Sequence, residues 1–181
     1  IRALEGVVDA ARIDDFLTSE VFWELNARTD AGMPLRDALV EMDDQAPQLA
    51  EIYRVYLDRF PLTVSGPVPG TAAVIDDLLA AGVPCFGLSN WAKENFNIAR
   101  RANPVIDRLA DVIVSGEVGL AKPDADIFRY ALERFGLEAD DTVMIDDTQE
   151  NLDSASTVGL GTILFSSADQ LRADLQARQL L

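Results

Sequence analysis

The chain contains no histidine. That removes the commonest general base and the commonest transition-metal ligand, so any acid–base or metal chemistry has to run on carboxylates, lysine, hydroxyls and backbone. Cysteine is nearly missing as well: Cys85 is the one example, and it lies in an apolar run. No disulfide within the chain is possible, which fits a reducing compartment, and a buried filler is the ordinary role of a lone thiol. Basic residues are scarce, 15 Lys and Arg against 31 Asp and Glu, for a net charge of −16. Nucleic acids and anionic membranes both need a basic face, so neither is expected as a partner. Long apolar runs are missing too. Nothing approaches the roughly 18 residues of a membrane span, and the first five residues, Ile1 to Glu5, show no signal-peptide pattern. These absences predict a soluble, cytoplasmic protein. What remains is ordinary globular composition, 49% hydrophobic and 25% charged over 181 residues, enough for one medium domain or a domain with a sizeable insertion.

Two periodicities divide the chain. Between about Val8 and Phe60, apolar residues recur at helical spacing. Ile13, Phe16 and Leu17 make one stripe, Leu35, Leu39 and Met42 another, and Ile52, Val55 and Tyr56 a third. Pro34 and Pro47 stand where helices begin. The pattern predicts a bundle of about four helices over 8–62. From residue 63 onward, short apolar runs alternate with amphipathic segments. Strands are expected over 83–88, 112–114, 142–145 and 162–165, and helices over 71–81, 91–102, 123–135, 149–158 and 168–179. Strands alternating with helices predict an α/β core over 63–181, a Rossmann-like parallel sheet flanked by helices and joined by right-handed crossovers.

In an open α/β sheet, chemistry gathers beyond the carboxyl ends of the strands. Three polar clusters stand there. Ser89, Asn90 and Trp91 follow the first strand, Lys122 precedes the helix that Pro123 opens, and Asp146, Asp147 and Thr148 follow the third strand. Each has a plain structural explanation: Ser89 or Asn90 as an N-cap, Lys122 as a solvated loop lysine, Asp147 as a cap that gains from the helix dipole. A cap needs only one acid, however, and Asp146 is left over. Two neighbouring carboxylates repel unless something positive sits beside them. Taken together, the clusters suit a phosphoryl group. Ser89 Oγ and a helix N-terminal N–H would bind phosphate oxygens, and Lys122 would offset their charge. Asp146 and Asp147 would hold Mg²⁺, which takes one or two carboxylates with water and substrate oxygens.

These residues resemble the haloacid dehalogenase superfamily of aspartate-nucleophile hydrolases. Leu88 to Trp91 is similar to its second motif, Gly119 to Asp124 to its third, and Met144 to Asp147 with Asn151 to its fourth. The resemblance covers nearly the whole chain, with 8–62 similar to the superfamily's α-helical cap and 63–181 to its core. Asn26, Asp30 and Gly32 are similar to the first cap helix of the branch that hydrolyses sugar phosphates. The resemblance implies hydrolysis of a phosphate monoester through an aspartyl-phosphate. Lys122 and Asp147 would be catalytic. Ser89, Asn90, Trp91 and Lys122 would bind substrate, Asp146 and Asp147 would hold Mg²⁺, and Asn151 would orient those ligands. The substrate would be a small phosphorylated metabolite such as a sugar phosphate, chosen by the cap, where Trp23, Asn26, Arg28 and Tyr53 are candidates. Oligomeric state is not legible.

One part of the family pattern has no counterpart. The first motif is a strand ending in the attacking Asp, and Gly6 to Asp9 is too short and too close to the cap to be it; Asp9 reads as a helix start. That strand lies in the middle of the family's sheet, so its absence would leave unpaired backbone. The expectation is that about 15–25 further residues precede the sequence, one strand and its loop. Three alternatives follow. A 2-haloacid dehalogenase would share the hydroxyl and the lysine, but its fourth motif carries Ser and Asn where this chain has Asp146 and Asp147. A phospho-acceptor receiver domain would place its acids before its lysine, the reverse of the order here. An inactive or binding form would lack the first motif altogether.

Overall fold

A computed structural model describes residues 2–181. The described chain falls into two compact units. The first runs to Ser65 and includes 90–102 and 114–119; the second comprises 66–89, 103–113 and 120–181.

The first unit is helical. It contains α1 (Ala10–Leu17), α2 (Glu20–Asp30), α3 (Leu35–Gln45) and α4 (Pro47–Asp58), the four helices that the 3.6-residue periodicity predicts. Their boundaries follow from local chemistry. Asp9 caps α1 by accepting from Ala11 N at 2.9 Å, Ser19 Oγ accepts from Phe22 N, Pro34 precedes α3 as its N-cap, and Pro47 occupies the first turn of α4. The helices close on a core that holds Phe16, Leu25, Met42, Ile52 and Tyr53. Phe16 is fully buried against Phe22, with ring centroids 4.2 Å apart. Removing so large a ring from water contributes about 1.5–3 kcal/mol. At the surface, Asp9→Ala should cost about 1 kcal/mol in a urea melt by leaving the Ala11 N–H uncapped.

The same unit holds α6 (Phe96–Ala102) and the short α7 (Ser115–Val118). Sequence periodicity predicts a helix from Trp91, yet residues 91–95 form a loop instead. The reason is a close backbone approach. Trp91 N donates to the buried Ser115 Oγ at 2.9 Å, Gly116 N donates to Trp91 O at 3.2 Å, and a Cβ on Gly116 would lie 2.7 Å from Lys93 N. Partners outside the helix thus take the backbone groups that a first turn would have used.

The second unit is α/β. It contains α5 (Thr71–Ala80), β1 (Gly87–Ser89), α8 (Ala125–Phe135), β3 (Val143–Asp146), α9 (Gln149–Thr157), β4 (Gly161–Leu164) and α10 (Ala168–Ala177). The strand β2 (Val112–Val114) pairs with β1. β3 and β4 are parallel, with Val143 opposite Gly161 and Asp146 opposite Leu164. α5, β4 and α10 pack through Val74, Leu78, Ile163, Leu171 and Leu175. Cys85 is half-buried beside that cluster, and burial pushes its thiol above its ordinary value. Ile127, Phe128 and Ala155 form a second cluster, against which Leu88 of β1 and Met144 of β3 both pack.

The expected single sheet is present as two pairs of strands, β1 with β2 and β3 with β4. Among the described residues neither β1 nor β3 has a second partner, and residues 87–89 and 143–145 stay half-buried rather than enclosed. Strands that sit mid-sheet in a parallel fold are normally covered on both faces and paired on both edges. No helix of the described residues is long and apolar enough to cross a membrane.

Candidate active site

Asp146 is the last residue of β3 and the one buried carboxylate of the second unit, 8% exposed. Four groups account for its burial. Lys122 Nζ donates to Oδ2 at 2.6 Å, Thr148 N to Oδ1 at 2.9 Å, and Asn151 Nδ2 to Oδ1 at 3.0 Å. The fourth is the strand itself, whose carbonyl at Asp146 accepts from Phe165 N at 2.8 Å. Burial pushes the Asp146 carboxyl up, but the Lys122 ammonium, the Asn151 amide and the Thr148 N–H outweigh it, so its pKa lies below the ordinary value. Asp146 is therefore ionised at neutral pH. The side chains of the ion pair are 10% and 5% exposed, so the interaction is little screened by solvent. Asn151 reaches Asp146 because it sits in the first turn of α9, which Thr148 opens.

Asp147 is placed differently. It is exposed and makes no ion pair or hydrogen bond among the described residues. The two neighbouring acids are thus split into a buried, paired carboxylate and an open one. Ser89 ends β1 as Asp146 ends β3; Leu88, one residue before the first end, and Met144, two residues before the second, meet the same apolar cluster. The Ser89 hydroxyl has no hydrogen-bond partner among the described residues. Asp124 caps α8 by accepting from Asp126 N at 3.0 Å, and Glu117 lies in α7.

Among the described residues, no three acid, cysteine or histidine side chains gather as a metal cluster. Asp146 and Asp147 still suit Mg²⁺, which needs only one or two carboxylates and completes its shell with water and substrate oxygens. The buried Asp146 is already ionised and held in orientation by Lys122 and Asn151, while the neighbouring Asp147 is free to ligate.

The first unit has a cavity of about 200 Å³, lined by Asn26, Asp30, Tyr53, Tyr56, Phe60 and Trp91. Asn90 and Asn95 also line it. Of the cap candidates, Asn26 and Tyr53 face this space. Trp23 is 56% exposed and donates its Nε1 to Leu17 O at 2.8 Å, and Arg28 pairs with Glu41, so neither lines the cavity. Sequence periodicity places Tyr56 and Phe60 in the core stripe. The three-residue spacing of Tyr53 and Tyr56 is the signal that sets those two on one face of α4; Phe60 lies beyond the end of that helix.

Asp30 is the charged group of that cavity. Burial raises its pKa from 3.8 to about 6, and no cation offsets the shift. Its hydrogen-bond partner is Asn26 Nδ2, at a long 3.5 Å. Burial, with smaller effects from Tyr56, Glu94 and Asp30, pushes Tyr53 up to about 12. An acid whose folded pKa exceeds its unfolded one costs nothing below the unfolded value. Its cost grows as pH rises between 3.8 and about 6 and is complete above that. The full shift corresponds to about 3 kcal/mol, and solvent access to the group reduces this to about 1–2 kcal/mol. Asp30→Asn should therefore stabilise the protein by about 1–2 kcal/mol at pH 7.5 and by much less at pH 4.5, measured by denaturant titration at the two pH values.

The haloacid dehalogenase-like hydrolase family matches residues 8–159. A glyceraldehyde 3-phosphate phosphatase of Methanocaldococcus jannaschii is 32% identical over 54% of this chain and 43% of its own length. Protein CbbY of Cereibacter sphaeroides is 28% identical over 94% of this chain and 82% of its own length. Across the first curated relatives, the chain spans 17% to 55% of their length. Among solved structures, a HAD family enzyme of Bacteroides thetaiotaomicron superposes with a TM-score of 0.69 at 18% identity, covering 87% of this chain and 80% of that one. That enzyme has also been crystallised with magnesium and inorganic phosphate.

Proposed function

This chain belongs to the haloacid dehalogenase-like hydrolase family, and on that footing we propose that it hydrolyses the phosphate monoester of a small phosphorylated metabolite with the help of Mg²⁺. The observation that carries this reading is the buried Lys122–Asp146 pair, with the open Asp147 as its neighbour in the chain. A paired carboxylate at a strand end beside a free one is a poor device for stability alone, because burying an ion pair seldom repays its desolvation. It is a good device for holding a metal ligand ionised and fixed. The relative named as a phosphatase and the neighbour crystallised with magnesium and inorganic phosphate agree with this chemistry.

On this reading Asp146 and Asp147 would hold Mg²⁺, which would supply positive charge against the phosphoryl group. Lys122 adds a second positive charge while keeping Asp146 ionised. Asn151 and the Thr148 N–H fix the Asp146 carboxylate. Ser89 and the N–H of the adjacent Asn90 take phosphate oxygens. The reading requires a carboxylate nucleophile of the kind that aspartate-nucleophile hydrolases use. Its oxygen attacks phosphorus as the ester P–O bond breaks and the alcohol leaves, and water then releases orthophosphate from the acyl phosphate.

A 2-haloacid dehalogenase would use the same fold, but it must seat an anionic substrate without a metal, and Asp147 stands open beside Asp146 with no cation to mask it. The discriminating experiment runs the full chain against phosphate monoesters and haloacids, with Mg²⁺ and with chelator. Orthophosphate released only with Mg²⁺ supports the phosphatase. Chloride or fluoride released in chelator overturns it.

A further inference from the structure

Ser115 is fully buried, and its hydroxyl faces the backbone of a loop distant in sequence. It is the first residue of α7, yet that helix has Val114 as its N-cap and no side-chain cap. The Ser115 Oγ accepts instead from Trp91 N at 2.9 Å. The next residue completes the grip: Gly116 N donates to Trp91 O at 3.2 Å. Both backbone groups of Trp91 are therefore held by two consecutive residues. The approach is close as well. A Cβ on Gly116 would lie 2.7 Å from Lys93 N and from Trp91 O, backbone atoms that cannot swing aside. α7 is itself braced. Gly119 N donates to Ser115 O at 2.8 Å, and Gly32, two residues past α2, packs against it so closely that a Cβ there would lie 3.5 Å from Gly116 O. All of these residues belong to the first unit.

A buried hydroxyl costs free energy unless it is hydrogen-bonded, and an alanine would fill the same place without that demand. What the hydroxyl supplies is order in residues 91–95, which have no helix or strand of their own to supply it. We propose that Ser115 is a positioning residue for phosphate: it clamps Trp91, so that the turn at Ser89 and Asn90 keeps the orientation in which it takes phosphate oxygens. The inference rests on the phosphatase reading above and adds to it a residue that acts through the Trp91 backbone. The turn is then fixed from both directions along the chain. Ser89 is the last residue of β1, so the strand sets the side that precedes Asn90. Trp91 follows Asn90 directly, so the clamp sets the peptide plane on the other side. Donors aimed at an oxyanion work by being fixed in advance, and a misplacement of about 1 Å can cost on the order of a hundredfold.

The test uses the full chain with Mg²⁺, p-nitrophenyl phosphate as substrate and orthophosphate as inhibitor. The readout is the inhibition constant of orthophosphate, which a mere loss of folded protein does not move. Ser115→Ala should raise it about tenfold, the scale of one net hydrogen bond. The Trp91 amide, protected in the wild type, should exchange its hydrogen about tenfold faster in the same variant. Ser167→Ala is the control: it removes a side-chain acceptor from Gln170 N at the start of α10 and should leave the constant unchanged. Should the alanine protein fail to fold, Ser115→Cys gives the same readout, because it keeps the volume but offers only a weak acceptor. A constant within about twofold of the wild type, an equal rise in Ser167→Ala, or unchanged exchange at Trp91 overturns the inference. A wild type inactive on every phosphate monoester tried overturns the phosphatase reading and this one with it. An active wild type whose constant Ser115→Ala does not move overturns this one alone.

Discussion

Replacing Lys122 with alanine lowers stability by about 3–5 kcal/mol at pH 7, the scale expected when one member of a buried ion pair is removed. The loss comes less from the missing attraction than from Asp146, which is left 8% exposed with a charge that Asn151 and the Thr148 N–H answer only in part. The pH dependence separates this from a simple packing defect. In the wild type the folded Asp146 pKa is depressed, so its contribution is fully present above the unfolded value near 3.9 and is lost as pH falls through the folded value. Without the ammonium, burial dominates and the folded pKa rises, so the variant recovers stability as its carboxyl takes a proton. The gap between the two proteins should shrink steadily as urea titrations move from pH 7 towards pH 4. A second substitution, Asp146→Asn, should restore part of the loss at pH 7, since no charge would then be stranded. A gap that stays constant with pH would mean that Lys122 acts by packing alone.

Asp147→Asn should have the opposite profile. Asp147 is exposed and makes no ion pair or hydrogen bond among the described residues, so stability should change by no more than about 0.5 kcal/mol. It should even rise slightly, because a charge beside Asp146 is removed. Mg²⁺-dependent phosphate release by the full chain should fall about a hundredfold or more, as expected when a metal that supplies several kcal/mol of charge stabilisation loses a ligand. Glu150→Gln is the matching control, an exposed acid three residues further along in the first turn of α9, and should leave turnover unchanged. A stable Asp147→Asn protein with undiminished turnover would remove Asp147 from the site.

The contrast between these two acids was only half legible in the sequence. The oddity of Asp146 next to Asp147 at the end of an apolar run was visible, and so was the need for a positive partner. That the partner of Asp146 is Lys122, 24 residues earlier, was not, because the pairing depends on how two separate strand ends meet and no local pattern encodes that. The helices of 10–58 were the most legible region. Pro34, Pro47 and Asp9 punctuate its helices with local chemistry, and the apolar stripes of α1 to α4 point at one core. Residues 91–95 depart from their sequence pattern for the converse reason. Their periodicity is helical, but Ser115 and Gly116, distant in sequence, capture the Trp91 backbone. The sheet was legible as four strands but not as two pairs, since strand propensity says nothing about which edges find partners. The cavity was the least legible feature. Tyr53 reads as a candidate for substrate selection and Tyr56 as core by spacing, and only the lining, with Asp30, distinguishes a lined space from a filled one.

The most direct measurement is a calorimetric titration of Mg²⁺ into the full chain in the presence of inorganic phosphate, repeated with Asp147→Asn. One Mg²⁺ per chain in the wild type, with the binding heat abolished in the variant, is the result that follows from an acid pair held ready by Lys122 and Asn151. Identical isotherms for the two proteins, or no binding to either, would contradict it.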